Sequence, residues 1–146
     1  MKTKLMAVMM LLSASALYAK PYTPAPGSTE RKAICDAMRA HVRKDNPKLL
    51  KIPMVFQVRF LRMDGDYAGF EGFPVNKDGS NIPVDISMDI VYTTCLKRIK
   101  GAWSVVMDLS CSDVPSDKDV RNIRNRLAAD FPASVLPDYW RKRLRP

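Results

Sequence analysis

The chain has one histidine, His41, and three cysteines, Cys35, Cys95 and Cys111. A Ser-His-Asp relay therefore has a single ring to build on, and nothing beside His41 supplies a nucleophile motif. His41 is expected to be structural; a thiolate at Cys95 beside it is the one catalytic pairing left open. There is no Gly-x-Ser-x-Gly and no His-Glu-x-x-His, so the usual hydrolase and zinc-protease signatures are missing. No cysteine has a second ligand at close spacing, so neither a metal nor any other cofactor is expected. Gly65, Gly69 and Gly72 are not followed by the Gly-Lys-Ser/Thr of a phosphate loop. Carboxylates offer little more. Asp64 and Asp66 flank a turn, and Asp85 and Asp89 stand about 13 Å apart on a strand, too far for the about 5–9 Å of a glycosidase pair.

Long apolar runs are also scarce. Residues 5–12, LMAVMMLL, are the longest, well short of the about 20 residues that span a bilayer. Lys2 and Lys4 precede this run and the small residues SASALYA at 13–19 follow it. That order reads as a secretory signal peptide, residues 1–19, cut after Ala19 or after Ala16. No cysteine stands at either cut, so no lipid anchor is expected, and the exported chain is expected to carry no stable membrane insertion. The address is periplasmic or secreted, where disulfides persist.

Removing 19 of the 146 residues leaves 127, enough for one domain, and lowers the net charge from +9 to +7. The excess is uneven. Residues 31–51 and the C-terminal WRKRLRP are basic, whereas residues 64–89 carry Asp64, Asp66, Glu71, Asp78, Asp85 and Asp89. Arg39, Arg43, Lys44, Arg121, Arg124, Arg141, Lys142 and Arg143 are candidates for a basic face. Such a face can attract anionic lipid, lipopolysaccharide, acidic wall polymer or host glycan; outside the cytoplasm nucleic acid is not the expected partner. The same residues also serve simply to solvate helices.

Residues 20–28, KPYTPAPGS, form a Pro-rich leader expected to be an extended, mobile spacer. Ser28 can cap a helix whose stripe is Ile34, Cys35, Met38 and Val42, and Asn46-Pro47 ends it. Period-two patterning then predicts strands over 54–62, 66–73, 85–97 and 102–111, with hairpin turns at Asp64-Gly65 and Lys100-Gly101. Gly69 and Gly72 mark a bulge or a close backbone approach. On the last strand Trp103, Val105, Met107, Leu109 and Cys111 are expected on one face. Ser116-Asp117 can cap a second helix to about Ala129 with Val120, Ile123 and Leu127 inside, and residues 138–144 can form a short last helix. Phe56, Phe60, Tyr67, Phe70, Phe73 and Tyr92 are expected to pack in the core and across strands rather than stack on sugar.

Three cysteines in an oxidising compartment predict one bridge and one thiol left over. A two-residue turn at Lys100-Gly101 sets Cys95 opposite Val106 and Ile90 opposite Cys111. Cys111 then shares the face of Leu96 and Trp103, and Cys95 lies on the other. Cys35 with Cys111 is the expected pair, with a pairing through Cys95 as the alternative; a bulge would shift the balance toward Cys95.

The segments ERKAICDAMR (30–39), FLRMDGDYAGF (60–70), CLKRIKGAWSVV (95–106) and SDV (112–114) resemble a family of small exported bacterial proteins. In it a Glu-Arg-x-Ala-Ile-x-Asp-Ala-x-Arg helix precedes a small antiparallel sheet with a Gly-Asp-x-Ala strand and a Trp-bearing last strand. The resemblance implies this fold and no activity, and the three cysteines lie outside its pattern.

The expected fold is α+β, residues 29–146: an N-terminal helix on a four-stranded antiparallel meander, then a C-terminal helix. The expected function is a non-enzymatic envelope or secreted binding protein, with a host-interaction role open to it, touching an anionic surface or acidic partner through its basic helices. A periplasmic inhibitor or immunity protein that blocks an enzyme, and a small hydrolase, are the alternatives.

Overall fold

A computed structural model describes residues 20–82, 91–110 and 114–145. The expected signal peptide and the first part of the expected third strand lie outside them. Helix α1, Thr29–Asp45, begins where Ser28 accepts a hydrogen bond from the Arg31 N–H at 3.2 Å. It stops at Asn46, because Pro47 disfavours a helical residue before it and opens a short 3-10 turn. Its inward stripe is Ile34, Met38 and Val42, all fully buried, each contributing about 1.5–3 kcal/mol of burial. Cys35 sits at the border of the stripe, half-buried.

Strands β1 (Met54–Asp64), β2 (Tyr67–Asn76), β3 (Tyr92–Ile99) and β4 (Ala102–Asp108) form one antiparallel sheet in the order β1-β2-β3-β4. Both tight turns lie at one end of this meander. Helix α1 covers one face, packing Ile34, Met38 and Val42 on Leu61, Met63, Phe70, Tyr92, Leu96 and Trp103. Helices α2 (Asp117–Arg126) and α3 (Asp138–Leu144), with a 3-10 turn at Ala133–Val135 between them, cover the other face. That second core joins Cys95, Met107 and Leu109 to Val120, Leu127, Phe131, Leu136 and Trp140. Helix α2 starts at Ser116, whose hydroxyl caps the Asp119 N–H while the Asp119 carboxylate takes the Ser116 N–H, a reciprocal capping box. It ends at Arg126, three residues before the expected limit.

Three expectations change. The last strand does not keep one face throughout. Leu96 pairs with Val105 but Cys95 pairs with Met107, so Val106 is an extra, bulged residue. Trp103 and Val105 therefore face α1, and Met107 and Leu109 face the C-terminal helices. Cys95 does lie on the face opposite Leu96 and Trp103, as the turn geometry predicts, but its partner across the ladder is Met107 rather than Val106. The Pro-rich leader is extended but does not stand free: Tyr22 exchanges both backbone hydrogen bonds with Met63, at 3.0 and 2.8 Å, and closes part of the β1 edge.

The two strand glycines do separate work. Gly72 pairs with Val58 next to a bulge at Arg59, and a Cβ there would stand 2.7 Å from the Gln57 carbonyl oxygen. Gly69 faces the second layer, where the Val135 carbonyl oxygen lies only 1.7 Å from the position a Cβ would take. Only glycine lets the turn between α2 and α3 seat on β2. Gly69→Ala must push that turn off the sheet, at a cost of about 3 kcal/mol, so differential scanning calorimetry is expected to show a Tm about 10 °C lower. An unchanged Tm would mean that the C-terminal layer does not seat on Gly69.

Candidate functional site

Helix α1 is pinned to the sheet at both ends. Glu30 to Asp45 spans about 22 Å along the helix, and Tyr92 to Arg98 spans about 20 Å along β3, so the two elements match in length. At the hairpin end, Glu30 Oε1 accepts hydrogen bonds from Arg98 Nη2 at 2.5 Å and from Trp103 Nε1 at 2.7 Å. The Arg98 guanidinium lies over the Trp103 ring, 4.8 Å from its centroid. The Arg98 N–H donates to the Asp66 carbonyl at 2.7 Å, and Arg98 Nε is 3.6 Å from the Asp66 carboxylate. Three of the segments that carry the family resemblance thus meet at one point, and that point is a structural clamp.

At the other end lies a polar cluster. His41 Nε2 is 2.6 Å from Asp108 Oδ2, and Tyr92 Oη donates to Asp45 Oδ2 at 3.2 Å. The His41 and Tyr92 rings meet edge-on at 6.5 Å. Burial and the neighbouring Asp45 carboxylate push the Tyr92 phenol up to about 12. Burial alone would raise the Asp108 carboxyl, but hydrogen bonds from His41 and Ser110 outweigh it and hold the group below its ordinary value. Asp108 escapes sequence reading because it stands 67 residues from His41 and looks like one more strand-end acid.

The order of groups decides what this cluster can do. A serine nucleophile must bond the imidazole, with the carboxylate behind the ring. Here the carboxylate stands between: Asp108 Oδ1 takes the Ser110 N–H at 2.8 Å, and the Ser110 hydroxyl accepts from the Thr93 N–H at 2.9 Å. Cys95 is on the far face of the sheet in the other core, and burial, reinforced by Asp108, pushes its thiol up to about 12. His41 and Cys95 are therefore not brought together.

The cysteines divide likewise. Cys35 packs against the α1 core and Cys95 belongs to the C-terminal core, so the two are not bonded to each other. Cys111, and with it the expected Cys35–Cys111 bridge, lies outside the described residues. Among the described residues no three His, Cys, Asp or Glu side chains converge on a metal-sized site, and no helix is long and apolar enough to cross a membrane. Asp64 receives the Ser134 hydroxyl at 2.6 Å, so it ties the first hairpin to the second layer besides flanking its turn.

The eight basic candidates do not form one face. Arg39, Arg43 and Lys44 are on α1, and Arg121, Arg124, Arg141, Lys142 and Arg143 are in the layer across the sheet. On α1, Arg39 pairs with Asp36, which also holds Lys32, and Arg43 donates to the Ile52 carbonyl at 3.2 Å. In the C-terminal layer, Arg141 pairs with Asp138, and Arg143 reaches Asp117 at 3.0 Å and the Tyr139 hydroxyl at 2.6 Å. Arg124 donates to the Arg143 carbonyl and Arg145 to that of Ala128, and neither makes an ion pair among the described residues. Arg121, Arg126 and Lys142 are exposed, with no ion pair among the described residues. Beside Arg126 a cavity of about 130 Å³ opens between α2 and the sheet, walled by Val106, Met107, Leu127 and Phe131 with Tyr67 and Lys97.

The lowered Asp108 carboxyl has a pH signature. Its stabilisation is fully present above the ordinary carboxylate value near 4 and disappears as pH falls through the lower value of the folded state. Asp108→Asn loses hydrogen bonds worth about 1–2 kcal/mol, so its Tm at pH 7 is expected about 5 °C below wild type. The two curves should converge as the pH falls to 2. Curves that stay parallel between pH 7 and pH 2 would show that the ionised carboxylate adds nothing to the pin.

No known protein family, curated protein or solved structure matches this chain, so its functional reading rests on the geometry described above.

Proposed function

We propose that the chain is a small exported, non-enzymatic binding protein of the bacterial envelope or secretome whose C-terminal helical layer contacts an anionic surface or an acidic partner. One observation carries this reading. Residues 117–145 hold eight Lys and Arg against four Asp, and only Arg141 and Arg143 of those eight make close ion pairs there. This layer therefore presents most of its cations outside any ion pair within it. The α1 side carries the same net +4 over residues 29–51, seven Lys and Arg against three acids, but there Asp36 compensates both Lys32 and Arg39 and Arg43 is tied to the Ile52 carbonyl. Export and the bacterial setting rest on the signal-like N-terminus and the family resemblance. The polar cluster at His41 favours a binding role over hydrolysis, because the ring bonds the Asp108 carboxylate while the Ser110 hydroxyl accepts from the Thr93 N–H.

Exposed cations attract a polyanion over about 10 Å at 0.1 M salt and less at higher salt, with about 1 kcal/mol per cation at an anionic lipid surface. The test is co-sedimentation of the chain with vesicles of phosphatidylethanolamine and phosphatidylglycerol. Binding is expected to fall steeply between 50 and 300 mM NaCl. Arg121→Glu with Lys142→Glu should weaken it at least about tenfold, and Arg39→Glu with Lys44→Glu about twofold or less. Salt-insensitive binding, or equal effects from the two pairs, would reject the C-terminal layer as the contact face.

A further inference from the structure

Strand β4 ends the sheet, and among the described residues nothing pairs with its outer edge. The Lys100-Gly101 turn has positive φ at both residues, 51° and 82°, the two-residue hairpin geometry that makes Ile99 and Ala102 a hydrogen-bonded pair. Alternation along the ladder then directs the N–H and C=O groups of Trp103 and Val105 outward. Among the described residues no backbone group bonds to them. The opposite edge is treated differently. On β1, Tyr22 takes the free groups of Met63 and the charged Arg59 and Arg62 interrupt the strand. Residues 102–107, AWSVVM, contain no charge and no proline, the devices that normally discourage pairing at an edge.

The cavity sits beside this open edge. The bulged Val106 is 43% exposed and forms part of its wall. A volume of about 130 Å³ is close to that of an apolar cavity able to hold one benzene-sized group. Arg126 adds an exposed cation with no carboxylate partner among the described residues, and Lys97 adds a second, already loosely held by Asp130 at 3.5 Å.

From the juxtaposition of the unpaired Trp103–Val105 edge, the cavity at Val106 and the free Arg126 cation, we propose that β4 accepts an acidic extended peptide as a fifth strand. Three to five residues of the partner pair with the edge, and one aromatic or branched side chain enters the cavity. Carboxylates on either side of it meet Arg126 and Lys97. This is strand addition, in which backbone pairing supplies affinity and a pocket supplies selectivity. It rests on the reading of the chain as a binder of acidic partners and names the chemistry and location of one such partner.

The probe is a fluorescein-labelled, end-capped heptapeptide, Asp-Glu-Val-Phe-Val-Glu-Asp, titrated against the chain by fluorescence anisotropy. Saturable binding is expected, with protection from hydrogen exchange appearing at the Trp103 and Val105 amides. Val106→Asp and Arg126→Glu should each weaken it at least tenfold, with thermal unfolding confirming that each variant is folded. The same peptide with Lys for every acid should not bind. Absence of binding, or binding unchanged by both variants, or no protection at Trp103 and Val105, would overturn the proposal. It would equally fall if those amides were already protected in a peptide-free chain that elutes as a dimer, because a second copy would then occupy the edge. If the peptide fails while anionic vesicles still bind, strand addition is wrong and the wider reading stands; if neither binds, both are wrong.

Discussion

The Glu30 carboxylate is the point from which the arrangement of α1 and the two hairpins follows. One oxygen accepts both the Arg98 guanidinium and the Trp103 indole. Arg98 and Trp103 are opposed across β3 and β4, so a single helix side chain grips both strands at once. Arg98 also reaches Asp66 in the turn between β1 and β2, so both hairpin turns are drawn to the start of the helix. The Glu30 and Arg98 side chains are each about one-third exposed, a setting where charge-assisted hydrogen bonds remain worth about 1.5–3 kcal/mol without the full desolvation cost of a buried pair. With this end fixed, the matched lengths of helix and strand carry His41 and Asp45 to Asp108 and Tyr92 at the other.

The second layer is held by apolar packing and shape, with polar ties from Ser134 to Asp64 and from Asp130 to Tyr67 and Lys97. Its carbonyl at Val135 rests on Gly69, its apolar side chains meet Cys95, Met107 and Leu109, and a bulge at Val106 turns those last two residues toward it. The same bulge leaves Val106 half out at the open edge. One backbone irregularity thus fills the second core and shapes the cavity beside β4. The cations of this layer that make no ion pair among the described residues lie on its outside, so packing and surface charge are separated.

Much of this was legible in the residues. Ser28, Asn46-Pro47 and Ser116 mark helix ends through capping and proline sterics, and the helices begin or end there. Period-two patterning placed four antiparallel strands, and Gly69 and Gly72 signalled a close approach and a bulge. The bulges themselves were not located, because runs such as MVFQVRFLR and AWSVVM keep an apolar character on either side of one inserted residue. The second layer's face was hidden for the same reason: a helix stripe shows that it is buried and does not show against what. His41 with Asp108, and Tyr22 with Met63, join residues with no local pattern between them. The basic candidates all lie on helices, with Arg39, Arg43, Arg141 and Arg143 half-buried, and their division across the sheet depends on topology that composition does not record.

The most direct test is a double-mutant cycle on Glu30→Gln and Arg98→Met, followed by urea unfolding. If one carboxylate couples helix to hairpin, each single change is expected to cost about 2 kcal/mol. The double variant should then cost less than their sum by about 1–2 kcal/mol. Additivity within about 0.5 kcal/mol would show that Glu30 and Arg98 act independently and that their contact does not couple the helix to the hairpin.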